Sequence, residues 1–200
     1  MNVHSSPLAL HTPRILTIRL VILDRDGVIN HDSESYIKSP AEWVPIPGSL
    51  EAIARLHRAG YKVVVATNQS GIGRDLLTLE TVARIHEKMI AAVHERGGEI
   101  DDIVFCPHTP EDGCSCRKPA PGMLKEIAQR LKPDLTGVYV VGDAERDVVA
   151  ARQVMATPVL VRTGKGTRTL EQSRVLEGVA VFDDLAAFVD ALLSDERVTH

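Results

Sequence analysis

Six short apolar, β-branched runs recur along this chain with segments of helical period between them, and that alternation restricts the fold more than any other feature. The runs are residues 16–23, "YKVVVA" (61–66), "IVFC" (103–106), "VYVVG" (138–142), "TPVLVR" (157–162) and "VAVF" (179–182). Between them Val82, Ile85, Met89, Ile90 and Val93 fall on one helical face, and "PGSLEAIARLHRAG" opens with Pro47 and closes on Gly60. Strands apolar on nearly every residue must be buried on both sides, so the pattern predicts an α/β fold: a parallel sheet with helices on both faces. A chain of 200 residues, 44% hydrophobic, sustains one such domain around a single core. We expect that domain at 15–200, preceded by a flexible extension at 1–14 where His4, Ser5, Ser6, Pro7 and Pro13 break any pattern.

Charge and hydropathy exclude several roles. A formal net charge of -4 argues against a chain held to nucleic acid or an acidic membrane by its overall field. No apolar run reaches the length of about 18 residues needed to span a bilayer, and Arg19 interrupts the apolar stretch before Asp24. The expectation is a cytoplasmic protein with a small-molecule partner, and neither a nucleic acid nor a membrane.

Polar residues then gather at one place. Asp24 and Asp26 follow the first run, Thr67 follows "VVVA", and Asp143 follows "VYVVG". The carboxyl ends of strands in an open parallel sheet share one crevice, where ligands bind. Each residue taken alone would read as a turn or cap, but three strand ends agree. One carboxylate can attack phosphorus while a second protonates the leaving oxygen and later activates water, which suits Asp24 as nucleophile and Asp26 as acid/base. A hard divalent cation such as Mg2+ fits the same oxygens, with Asp143 as a further ligand. Thr67 and Lys118 are placed to hold the transferring phosphoryl oxygens.

A second cluster lies in "CPHTPEDGCSC". All three cysteines and one histidine are spaced as Cys106-x-His108-x5-Cys114-x-Cys116, enough to close a tetrahedral Zn2+ shell. The competing readings are reduced surface thiols or a Cys114–Cys116 redox pair. An odd cysteine count and the included histidine favour zinc in a structural role, ordering a Pro/Gly-rich loop at 106–116.

"LDRDGVIN", "TNQSG" (67–71), "CRKP" (116–119) and "VGDAERD" (141–147) resemble, in order, the four motifs of the haloacid dehalogenase superfamily of phosphotransferases, over about residues 16–164. The resemblance implies a Rossmann-like core, Asp24 as nucleophile, Asp26 as general acid/base, and Thr67 and Lys118 on the phosphate. It implies Mg2+ held by Asp24, the Asp26 carbonyl and Asp143, with Asp147 supporting.

The zinc loop followed at once by "RKP" resembles two groups within that superfamily, the heptose 1,7-bisphosphate phosphatases and the histidinol-phosphate phosphatases. "TNQSGIGR", "RKPAPGML" and "VRTGKG" are closer to the heptose group, implying release of a 7-phosphate on the way to a nucleotide-activated heptose of lipopolysaccharide or another glycan. For substrate contacts the resemblance suggests Asn30, Asp32, Ser33 and Glu34 after the nucleophile, Asn68, Gln69 and Ser70 in the second motif, and Arg117 with Arg74 as grips for the uncleaved phosphate. Ala144 stands where some heptose phosphatases carry Lys, and Asp75 where a Gly is frequent. The intervals between motifs leave no room for a cap domain, so we expect an open site rimmed by the zinc loop and residues 31–46, in a monomer. A binding module on a catalytically dead fold is the remaining alternative, and the filled catalytic positions weigh against it.

Overall fold

The computed structural model describes residues 18–131 and 134–198; the expectation for residues 1–14, and the start of the first apolar run at 16–17, lie outside them. The described strands are β1 (Leu20–Leu23), β2 (Lys62–Asn68), β3 (Asp102–Cys106), β4 (Tyr139–Gly142), β5 (Thr157–Val161) and β6 (Ala180–Phe182). They form one parallel sheet in the order β3-β2-β1-β4-β5-β6. The helices are α1 (Ser49–Arg58), α2 (Leu79–Glu95), α3 (Gly122–Leu131), α4 (Glu145–Arg152), α5 (Gly166–Gln172) and α6 (Leu185–Val198).

Side-chain alternation along each strand divides the core into two layers. Val21 and Leu23 of β1 join Val63 and Val65 of β2 against α1, α2 and α6, through Ile53, Leu56, Ile85, Met89, Phe188 and Val189. Leu20 and Ile22 join Val64 and Ala66 on the other face, against Met123, Leu124 and Ile127 of α3 and Ala150 and Ala151 of α4. Both faces of β1 and β2 are buried, which is why these strands carry so few polar residues.

Local chemistry sets the helix limits. Gly48 takes φ 83° immediately before α1, so that helix starts at Ser49, two residues later than its Pro47 signal suggests. Thr78 accepts a hydrogen bond from the Thr81 amide at 3.1 Å and caps α2.

Strand order places the functional end. The chain leaves β1 toward β2 and β3 on one side, then returns through α3 to build β4, β5 and β6 on the other. The order reverses beside β1, so the crevice opens where β1 and β4 end, and the Asp24 amide still bonds the Val141 carbonyl at 2.8 Å. Between Asp26 and Thr67 lie one loop with a short 3-10 turn (Pro40–Glu42), α1 and β2; between Thr67 and Lys118 lie α2, β3 and the cysteine loop. Among the described residues nothing forms a cap.

Candidate active site

Asp24 sits where the β1 ladder ends and is buried. Its Oδ1 accepts from the Arg25 amide at 2.7 Å and its Oδ2 lies 3.0 Å from Lys118 Nζ. Burial works against an ionised Asp24, but the Lys118 and Arg146 cations outweigh it and hold the carboxyl below the usual range. Lys118, equally buried, also touches Asp147 at 2.6 Å and donates to the Ala66 carbonyl at 2.7 Å. Burial disfavours its charge, yet Asp147 and Asp24 keep its affinity for the proton above that of a free lysine.

Three carboxylates, Asp24, Asp143 and Asp147, bring oxygens within 4.8 Å of one another. Burial, then the Asp147 and Asp24 charges, push the Asp143 pKa up to about 7. Asp143 Oδ2 accepts from the Lys165 amide at 2.8 Å, whereas Oδ1 is buried without a hydrogen bond among the described residues. Arg146 Nη2 stands 3.7 Å from that atom and 3.7 Å from Asp24. This donor set fits a hard divalent cation. The carboxylate of Asp26 is not in the cluster, whereas that of Asp147 is.

Two glycines make that crowding possible. A Cβ on Gly27, which has φ 84°, would lie 2.1 Å from Asp143 Oδ2, and one on Gly164 would lie 2.3 Å from the same atom. The turn after β1 and the loop after β5 therefore close over Asp143 only because neither residue has a side chain.

Asp26 is held differently. Arg25, fully buried, reaches it through Nε at 3.1 Å and Nη2 at 2.9 and 3.0 Å. Asn30 Nδ2 donates to Oδ1 at 2.9 Å, and Gln69 Nε2 donates both to Oδ2 at 3.0 Å and to Thr67 Oγ1 at 2.9 Å. Since Thr67 Oγ1 accepts from Gln69, its own proton remains to donate to a phosphoryl oxygen.

The crevice is a cleft of about 220 Å³. Of the residues expected to contact substrate, Asp32, Ser33, Glu34, Asn68, Gln69, Ser70 and Arg117 line it. Two do not, and the expectation is corrected for both. Asn30 is buried behind Asp26, where its amide is spent on that carboxylate and the His31 carbonyl. Arg74 faces Glu111 at 3.6 Å on the exposed rim of the cysteine loop. Arg146 and Lys165 line the cleft and were missed; Lys165 Nζ pairs with Asp32 at 2.7 Å. Arg146 is three residues beyond Asp143 on the first turn of α4, a helical spacing that offered the signal.

Cys106, His108, Cys114 and Cys116 converge at the end of β3. Their sulfurs stand 3.1 to 3.6 Å apart, and His108 Nδ1 is 3.2 Å from Cys116 and 3.6 Å from Cys106. Four ligands around tetrahedral Zn2+ stand roughly 3.5–3.8 Å apart, so the donor set and spacing both fit zinc.

A six-stranded parallel sheet of this order, with an acidic cluster over its central strands and no inserted cap among the described residues, defines a hydrolase of the haloacid dehalogenase type. A family model described as HAD-hydrolase-like matches residues 115–188. The D-glycero-beta-D-manno-heptose-1,7-bisphosphate 7-phosphatase of Pseudomonas putida is 56% identical over 147 residues, covering 74% of this chain and 84% of its own. Its counterpart in Bordetella bronchiseptica is 54% identical over 147 residues, covering 74% and 82%. The crystal structure of the D,D-heptose 1,7-bisphosphate phosphatase from B. bronchiseptica, complexed with magnesium and phosphate, aligns with a TM-score of 0.87 at 52% identity, over 89% of this chain and 99% of that one. The chain belongs to the D-glycero-beta-D-manno-heptose-1,7-bisphosphate 7-phosphatase family.

Proposed function

We propose that this protein hydrolyses the 7-phosphate of D-glycero-β-D-manno-heptose 1,7-bisphosphate, one step before nucleotide activation of the heptose for lipopolysaccharide or another surface glycan. One observation carries the reading: two carboxylates of opposite circumstance, Asp24 paired with a buried lysine and Asp26 aimed by Arg25, Asn30 and Gln69, meet in a cleft that also holds Thr67.

Asp24 Oδ attacks phosphorus, the bond to the sugar O7 breaks, and Asp26 gives its proton to that oxygen, leaving an aspartyl-phosphate. Asp26, now a carboxylate, takes a proton from water as it attacks the same phosphorus, and inorganic phosphate leaves with Asp24 regenerated. Lys118 and Thr67 hold the phosphoryl oxygens through both steps. Mg2+, bound by Asp24, Asp143 and the Asp26 carbonyl with Asp147 beside it, supplies neutralisation of phosphate charge that would otherwise repel Asp24. The uncleaved phosphate needs cations of its own, and Arg117, Arg146 and Lys165 bring three to the cleft.

The test is phosphate release, with Mg2+, from both anomers of the bisphosphate and from histidinol phosphate under identical conditions. We expect strong preference for the β anomer; preference for histidinol phosphate would overturn the substrate and leave the chemistry, and silence on all three would leave a binding module. Replacing Arg117 by Ala is expected to raise KM for the bisphosphate about tenfold and for p-nitrophenyl phosphate less than twofold, the scale of one charge-assisted contact. An equal rise on both would remove it as an anchor.

Cys106, His108, Cys114 and Cys116 would hold Zn2+ with all four positions filled, and the ion would then order the loop that carries Arg117 to the cleft. Cys114→Ser is expected to lower zinc content below one per chain and to lower Tm before it touches kcat. Full zinc in that variant, measured by atomic absorption, would exclude Cys114 as a ligand. None of the described helices is long and apolar enough to cross a membrane, and we place the reaction in the cytoplasm, carried out by a monomer; a light-scattering mass above that of one chain would refute the latter.

A further inference from the structure

The chemistry above gives Arg25 no contact with substrate, yet its side chain is fully buried. Three of its hydrogen bonds go to Asp26. Its remaining terminal nitrogen, Nη1, lies 3.3 Å from Nε2 of His86 on α2, 61 residues further along the chain. A guanidinium has only donors, so His86 Nε2 must be the acceptor and the ring proton sits on Nδ1. Burial and the neighbouring Arg25 charge keep that ring neutral, and Phe105 of β3 fixes its plane by an edge-on contact at 5.8 Å.

The arrangement is a rigid chain from helix to reacting group. His86 is locked by the helix and by Phe105, Arg25 is held at one end by His86, and its other end presents a planar two-pronged fork to Asp26. A fork fixes both the position and the plane of a carboxyl group, which a single point charge does not. Proton transfer to a leaving oxygen depends on that plane, because the acid must lie in line with a lone pair at the moment the bond breaks.

We infer that Arg25 and His86 are positioning residues for the acid/base Asp26, acting by holding its carboxyl plane toward the leaving-group oxygen. The inference rests on the acid role of Asp26 proposed above. It makes a demand that a merely structural pair would not meet: losing the alignment must penalise leaving groups in proportion to their need for a proton. An alkoxide leaves only when protonated, whereas p-nitrophenolate leaves without help.

The experiment compares kcat/KM for glycerol 3-phosphate and p-nitrophenyl phosphate in His86→Phe, His86→Gln, Arg25→Lys and Asp26→Asn, with Mg2+ present. This ratio reports phosphoryl transfer to Asp24 and is blind to the later hydrolysis of the aspartyl-phosphate. His86→Phe removes the acceptor, and the alkyl ester should lose about tenfold while the aryl ester stays within twofold. His86→Gln offers an amide oxygen to Arg25 and should restore the alkyl ester to within threefold of the parent. Arg25→Lys keeps the charge and loses the fork, so it should show the same selective loss even if His86→Phe fails to fold. Equal losses on both esters, or a fall in Tm with unchanged selectivity, would overturn the proposal. Selectivity in Asp26→Asn without selectivity in the Arg25 and His86 variants overturns the positioning role alone, whereas no selectivity in Asp26→Asn overturns the acid role and the proposal with it.

Discussion

Asp24→Asn is expected to lower kcat by more than about 10³-fold, roughly 4 kcal/mol of barrier, with little change in Tm. An amide has the shape of the carboxylate and keeps an acceptor for the Arg25 amide, but its oxygen does not attack phosphorus. The folded state tolerates the change because Lys118 keeps Asp147 at 2.6 Å and the Ala66 carbonyl at 2.7 Å. Steady-state phosphate release gives the rate, and acid quenching followed by hydroxylamine trapping tests for the acyl phosphate. A variant retaining a tenth of the parent rate would remove Asp24 as nucleophile.

Lys118→Met should be the most damaging single change to stability. The lysine is 3% exposed and is the cation in direct contact with both Asp24 and Asp147. Without it the cation left against the three clustered carboxylates, among the described residues, is Arg146, which stands 3.7 Å from Asp24 and Asp143. Breaking a buried ion pair from one side costs about 3–5 kcal/mol, since the remaining charge is stranded away from water. We expect a loss of that size by urea unfolding in EDTA, and a smaller loss when Mg2+ is added to the folded state. Adding Asp147→Asn to the Lys118→Met chain should recover part of the loss, because it removes one stranded charge. A loss below about 1 kcal/mol in EDTA would show that Lys118 is not compensating the cluster.

Much of this site was legible because strand ends are legible. Asp24, Thr67 and Asp143 each follow a run of apolar residues, and parallel strands bring all such ends together whatever their order. The cysteine loop was legible for a different reason: four soft ligands in eleven residues can meet without help from the rest of the fold. Arg25 was invisible because a charged residue between two aspartates reads as one more solvated turn residue. Its burial depends on α2 bringing His86 across from 61 positions away. Arg74 misled for the opposite reason, since proximity to the second motif in sequence does not keep a long side chain from turning to Glu111.

By itself, then, the sequence determined the sheet, the acidic crevice and the sulfur-rich loop, because each follows from local periodicity or short spacing. Only the tertiary structure decided which charges face one another. It set Lys118 between Asp24 and Asp147, closed Gly27 and Gly164 over Asp143, and withdrew Asn30 from the cleft to Asp26. The physical reason is that electrostatic partnership depends on distances of 3 or 4 Å between residues far apart in the chain, and those distances exist only after packing has excluded the water that would otherwise screen them.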